Sequence, residues 1–178
     1  LLEALGCRVQ ILGEEPTGAF IHPPEPTADN LKEVAQFACR EACDITFCQD
    51  PDADRLAVID ETGRYVGEEF TLALCVQHVL RDKAGPVVTN CATSRMTADL
   101  AEQHSATCTL SAVGEANVVD CMLQQKAVFG GEGNGGPIDP RVGWVRDSFV
   151  GMALILAEMA SQRRKVSALV DALPQYQI

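Results

Sequence analysis

Short apolar runs of strand length take turns with longer segments whose apolar residues recur every three or four positions, and this alternation constrains the fold more than any other feature. Runs of the first kind, bounded by turn residues, read as strands, and periodic segments read as helices. Strands are expected at Arg8–Leu12, Asp44–Cys48, Leu56–Asp60, Pro86–Thr89, Ala106–Leu110 and Ala127–Phe129. Between them, Thr27 is expected to cap a helix with the stripe Leu31, Val34, Ala35 and Ala38. Further helices are expected at about Glu68–Leu80, Ser94–Gln103, Glu115–Gln125 and Asp147–Gln162, with a short last one ending before Pro174. A β-α-β-α rhythm of this kind leads to an α/β fold with a mixed, largely parallel sheet flanked by helices.

The rhythm breaks once. Asp44–Cys48 and Leu56–Asp60 follow each other across a short loop, the turn Glu61-Thr62-Gly63-Arg64 comes next, and a fresh helix starts after Gly67. This places a domain boundary near residues 62–67, dividing the chain into 1–65 and 66–178. The opening Leu1-Leu2-Glu3-Ala4-Leu5-Gly6 reads as the last turn of a helix closed by glycine, so the chain is expected to begin inside a domain.

Charge and cysteine usage narrow the function. The net charge of −11 argues against a nucleic-acid partner, which basic patches would have to hold. The one basic cluster, Arg163-Arg164-Lys165, reads as a solvated helix end. No apolar run approaches the ~20 residues of a membrane span. The eight cysteines form no Cys-x-x-Cys pair and mostly sit in apolar runs, which favours a reduced, cytoplasmic protein over a disulfide framework.

The loop Asp50-Pro51-Asp52-Ala53-Asp54-Arg55 crowds alternate carboxylates into one turn. Their repulsion is costly unless a cation neutralises it or solvent screens it. Alternate spacing in a non-helical loop lets Asp50, Asp52 and Asp54 face one side as hard oxygen ligands, which suits Mg²⁺. An EF-hand fails, because its sixth position must be glycine and is Arg55 here. A haloacid dehalogenase-like phosphatase loop is chemically closer, but Asp54 stands where that family has Thr or Val. The bland reading is a solvated acidic turn. Arg55, directly after the acids, is placed to hold a phosphate bidentately.

The second loop is Phe129-Gly130-Gly131-Glu132-Gly133-Asn134-Gly135-Gly136. Gly131, Gly133 and Gly136 fit the dinucleotide pattern G-x-G-x-x-G, but Pro137-Ile138-Asp139-Pro140 cannot open the helix that this pattern needs. No Gly-Lys-Ser/Thr follows, so a P-loop also fails. What remains is a mobile backbone presenting Glu132 and Asn134, an acceptor and a donor suited to vicinal sugar hydroxyls. A plain flexible turn is the alternative.

In this order and about eighty residues apart, the two loops resemble those of the α-D-phosphohexomutases, the phosphoglucomutase/phosphomannomutase/phosphoglucosamine mutase superfamily. Asp50, Asp52, Asp54 and Arg55 match its D-x-D-x-D-R metal loop. Gly131, Glu132, Asn134 and Gly135 match its G-E-x-S/N-G sugar loop. Pro24-Glu25-Pro26-Thr27, Thr93-Ser94-Arg95-Met96 and Val113-Gly114-Glu115 also look like family segments, and the likeness covers essentially the whole chain.

The resemblance implies a phosphoserine that passes its phosphoryl group between the 1- and 6-positions of a hexose phosphate, through a hexose 1,6-bisphosphate that also serves as activator. It implies one Mg²⁺ on Asp50, Asp52 and Asp54, a phosphoryl contact from Arg55, and sugar 3- and 4-hydroxyls on Glu132 and Asn134, with Gly131, Gly133 and Gly135 shaping that loop. The family's serine loop and R-x-S-G-T-E phosphate loop are absent. The chain is therefore expected to be the end of a second domain plus a third, inactive without domains 1 and 4. Ala112 stands where several members carry a proton-transfer lysine, and Gly136 where some close the sugar loop with His. A non-catalytic metal- or phosphosugar-binding module is the alternative from another class.

Overall fold

The computed structural model describes residues 1–176. Two sheets organise it: an antiparallel pair of β1 (Ile45–Gln49) and β2 (Leu56–Asp60), and a four-stranded sheet of β3 (Val87–Asn90), β4 (Cys108–Ser111), β5 (Phe129–Glu132) and β6 (Gly136–Ile138) in the order β4-β3-β5-β6. β3 pairs in parallel with both β4 and β5, and β6 closes the edge antiparallel to β5. The helices are α1 (Lys32–Arg40), α2 (Glu68–Asp82), α3 (Met96–Gln103), α4 (Glu115–Gln125), α5 (Ser148–Gln162) and α6 (Val166–Val170). The molecule is an α/β fold with a mixed, mostly parallel sheet flanked by helices.

Strand β2 joins two cores. All five of its residues are buried. Because side chains alternate along a strand, Leu56 and Val58 enter the main core with α2, α5 and Phe129. Ala57 and Ile59 point the other way, packing with Cys48 against Leu31, Val34 and Ala38. Burial on both faces explains why β2 is an unbroken apolar run.

Where the chain departs from expectation, the reason is local. Arg8–Leu12 is irregular, because among the described residues no neighbouring strand offers it backbone partners. Thr27 Oγ1 accepts from Asn30 N at 3.4 Å and so caps the turn before α1, whose own start has no side-chain cap. The strand expected at Ala127–Phe129 runs later, as β5, and takes in the glycines. Gly130 belongs there because α4 packs closely on the strand: a Cβ at Gly130 would lie 2.9 Å from Val88 O and strike the Met122 side chain. The residues after Gly135 form β6, an element that the two prolines conceal.

All eight cysteines are free. Burial pushes the Cys48 thiol up to about 12. Among the described residues, no helix is long and apolar enough to cross a membrane.

Candidate functional site

In an open α/β sheet, ligand sites form beyond the carboxyl ends of the strands, at the point where strand order reverses. Here the chain leaves β3 on one side for β4 and returns on the other for β5, so that point lies between the ends of β3 and β5. Asn90 ends β3, Glu132 ends β5, and Asn90 Nδ2 donates to Glu132 Oε1 at 2.6 Å.

Glu132 is only 3 % exposed. Gly114 N also donates to its Oε1 at 3.1 Å, and the Arg146 guanidinium donates to its Oε2 at 2.9 Å. The loop is thus not the mobile backbone expected: Glu132 is the anchored end of a strand, and Gly133-Asn134-Gly135 is a tight link to β6. Gly135 has φ +86°, and a Cβ there would sit 2.5 Å from Leu56 O. Gly133 lies against the Glu69 carboxylate, which also accepts from Ser94 N and Oγ. Gly131 faces Gly136 O at 2.5 Å from where its Cβ would be. Asn134 Oδ1 is buried without a hydrogen-bond partner, an acceptor that a ligand hydroxyl could satisfy.

The acidic turn joins β1 to β2. Carboxylate oxygens of Asp50, Asp52 and Asp54 lie within 4.8 Å of one another, so the three do face one side. Asp50 is buried and accepts from Arg55 N at 3.1 Å and Arg55 Nε at 2.7 Å. Burial by itself would raise the Asp50 carboxyl, but these hydrogen bonds outweigh it and hold it below the usual carboxylate range. Asp54 goes the other way. Burial, then repulsion from Asp50 and Asp52, push it up against the attraction of Arg146. A carboxyl held up by burial and by its neighbours' charge is what a divalent cation would relieve, and a set of hard oxygens at this spacing fits Mg²⁺.

Two arginines brace the acidic turn. Arg55 is shared between Asp50 and Glu25, whose carboxylate accepts from Arg55 at 2.7 Å. The Glu25 hydrogen bond is the main reason the guanidinium is held above its ordinary value. Arg146 pairs with Asp54, with Glu132 and, at 3.2 Å, with Glu115, so one side chain reaches the acidic turn and the glycine hairpin at once. Its stem lies over Gly136, where a Cβ would strike Arg146 Cδ. The backbone adds a direct splice: Leu56 N donates to Gly135 O at 3.0 Å.

Sequence reasoning missed Arg146, Asn90 and Glu25's role as the partner of Arg55. Arg146 stands in an unremarkable Val145-Arg146-Asp147, and only the fold brings it to the acids. The excess of carboxylates around Asp54 and Glu132 was the available signal, since buried anions need a cation.

Fold and site together define an α/β domain that gathers carboxylates and a glycine-shaped backbone at a sheet's switch point. Residues 68–176 match the model of phosphoglucomutase/phosphomannomutase alpha/beta/alpha domain III, and residues 1–63 match that of alpha/beta/alpha domain II. The chain belongs to the phosphoglucomutase/phosphomannomutase family. It is 37% identical over 178 residues to a phosphoglucomutase/phosphomannomutase of Thermococcus kodakarensis, covering 99% of this chain and 39% of the relative. It is 29% identical over 180 residues to a probable phosphoglucosamine mutase of Methanopyrus kandleri, covering 100% and 40%. A crystal structure of a family protein from Burkholderia thailandensis shares the fold, with TM-score 0.85 at 24% identity, over 98% of this chain and 39% of that one. The chain thus spans about 40% of the length of the curated relatives it matches.

Proposed function

We propose that this chain supplies the cation-binding and sugar-reading parts of a phosphohexomutase, an enzyme that moves a phosphoryl group between the 1- and 6-positions of a hexose phosphate. In this reading residues 1–65 end a second domain and 66–178 form a third. The phosphoserine and the phosphate-binding loop come from domains 1 and 4, outside these residues, and the chain alone is inactive. The carrying observation is that Arg146 joins Asp54 of the acidic turn to Glu132 of the glycine hairpin, so one small ligand can reach both.

Asp50, Asp52 and Asp54 would hold Mg²⁺, which when bound supplies positive charge beside the transferring phosphoryl group. Arg55 would hold that phosphoryl group, with the phosphate taking the place of the half-exposed Glu25 carboxylate, since a guanidinium binds either anion in the same forked geometry. Glu132 keeps lone pairs for a sugar hydroxyl beside its three donors, and Asn134 offers its unpartnered Oδ1 to a second. Gly131, Gly133 and Gly135 keep the hairpin free of side chains, so the ligand meets backbone. A hexose 1,6-bisphosphate would serve as activator. The free thiols accord with a cytoplasmic setting.

The test is turnover of glucose, mannose and glucosamine 1-phosphates by the full-length protein with Mg²⁺ and a bisphosphate primer. Conversion to the 6-phosphates that is lost in Asp52→Asn is the expected result. Phosphate release without isomerisation, or equal activity in the variant, would overturn the reading. Turnover by the 178-residue chain alone would overturn the requirement for the other domains.

A further inference from the structure

The first residue of α5 makes contacts that its own helix does not need. Asp147 already caps α5, its carboxylate accepting from Phe149 N at 2.9 Å and Val150 N at 3.2 Å. Ser148 is fully buried, and its hydroxyl turns away from the helix to donate to Ala53 O at 2.6 Å. Ser148 N points to the same carbonyl at 3.4 Å. Gln49, the last residue of β1, donates in turn to Ser148 Oγ at 2.6 Å. The result is a strut, Gln49 to Ser148 to Ala53 O, between the acidic turn and the positive end of a fifteen-residue helix.

Ala53 needs such a restraint. Its φ of +59° is left-handed, a conformation that a non-glycine residue keeps only where its surroundings over-determine it. It lies between Asp52 and Asp54, so the orientation of its peptide sets where both carboxylates point. We propose that Ser148 is a positioning residue: by fixing the Ala53 carbonyl, with Gln49 steadying its hydroxyl, it holds Asp52 and Asp54 in the convergent geometry that binds a divalent cation. The consequence for cation binding rests on the reading of the acidic turn given above. The ordering of the turn does not.

Two readouts on the full-length protein separate these. Hydrogen exchange without added metal should quicken roughly tenfold at the amides of residues 53–55 in Ser148→Ala, while β3 and α2 keep their protection. Mn²⁺ affinity, followed by electron paramagnetic resonance, should weaken roughly tenfold in Ser148→Ala and about threefold in Gln49→Leu, with Ser148→Thr keeping the wild-type value. Unchanged exchange in Ser148→Ala overturns the strut. Quickened exchange with intact Mn²⁺ affinity overturns the positioning role. If the wild type binds Mn²⁺ no better than Asp52→Asn, the cation reading and the positioning role fall together, and the exchange arm still reports on the strut. Should Ser148→Ala fail to fold, Gln49→Leu carries both readouts.

Discussion

The acidic turn and the glycine hairpin meet at one site but are held in opposite ways. The turn is held by charge: Arg55 and Arg146 offset carboxylates whose mutual repulsion would otherwise open it. The hairpin is held by the absence of side chains, with Gly131 and Gly135 each pressed against backbone atoms that a Cβ would strike. Interactions of the first kind are adjustable, since a cation, a proton or a phosphate can replace one partner by another. Those of the second kind are not, because a clash with backbone can be relieved only by moving the backbone.

The largest expected effect attacks the rigid loop. Gly135→Ala should cost about 3 kcal/mol, combining a left-handed alanine with an overlap on Leu56 O. Urea denaturation measures it, and a cost below about 1 kcal/mol would mean that the hairpin yields as easily as the turn. Arg146→Met keeps the stem but removes the charge from Asp54, Glu132 and Glu115, and should cost about 2 kcal/mol in the same assay.

Asp52→Asn separates structure from ligand. Asp52 is the most exposed of the three acids. Stability without metal should therefore stay within about 0.5 kcal/mol of wild type. Wild type should gain about 1.4 kcal/mol at a Mg²⁺ concentration ten times Kd, and the variant should gain nothing. Thermal melts with and without Mg²⁺ read both.

The smallest effect is a slope. Burial, the leading cause, pushes the Glu68 carboxyl from 4.5 up to about 7. The folded state then binds a proton that the unfolded state has lost between those values, so this group's contribution to stability declines as pH rises from about 4.5 to 7. Glu68→Gln should remove that part of the decline, giving a flatter plot of Tm against pH in metal-free buffer. An identical slope in the two proteins would remove Glu68 as its source.

Much of this molecule was legible before its fold was known, and the pattern of misses has a physical cause. Strand β2 and helix α4 fall where periodicity puts them, because each buries a stripe whose spacing is written locally. Arg8–Leu12 is apolar enough for a strand, but a strand needs a partner, which local sequence does not reveal. Strand β6 was hidden for the converse reason: Gly136-Pro137-Ile138 has weak strand propensity and is a strand because β5 lies beside it. At the site, the three aspartates could be grouped from spacing alone. Arg146 could not, being ninety-two residues from Asp54 along the chain. Carboxylates that share a turn can be read from the turn, whereas the groups that offset or brace them come from wherever the topology passes.

The hydrogen bond from Leu56 N to Gly135 O joins the two loops through their backbones. It stitches the start of one strand to the tip of the other loop, so the acidic turn and the glycine hairpin share a single frame. A displacement of either loop must therefore carry the other with it, and whatever the acidic turn holds stays at a set distance from Glu132.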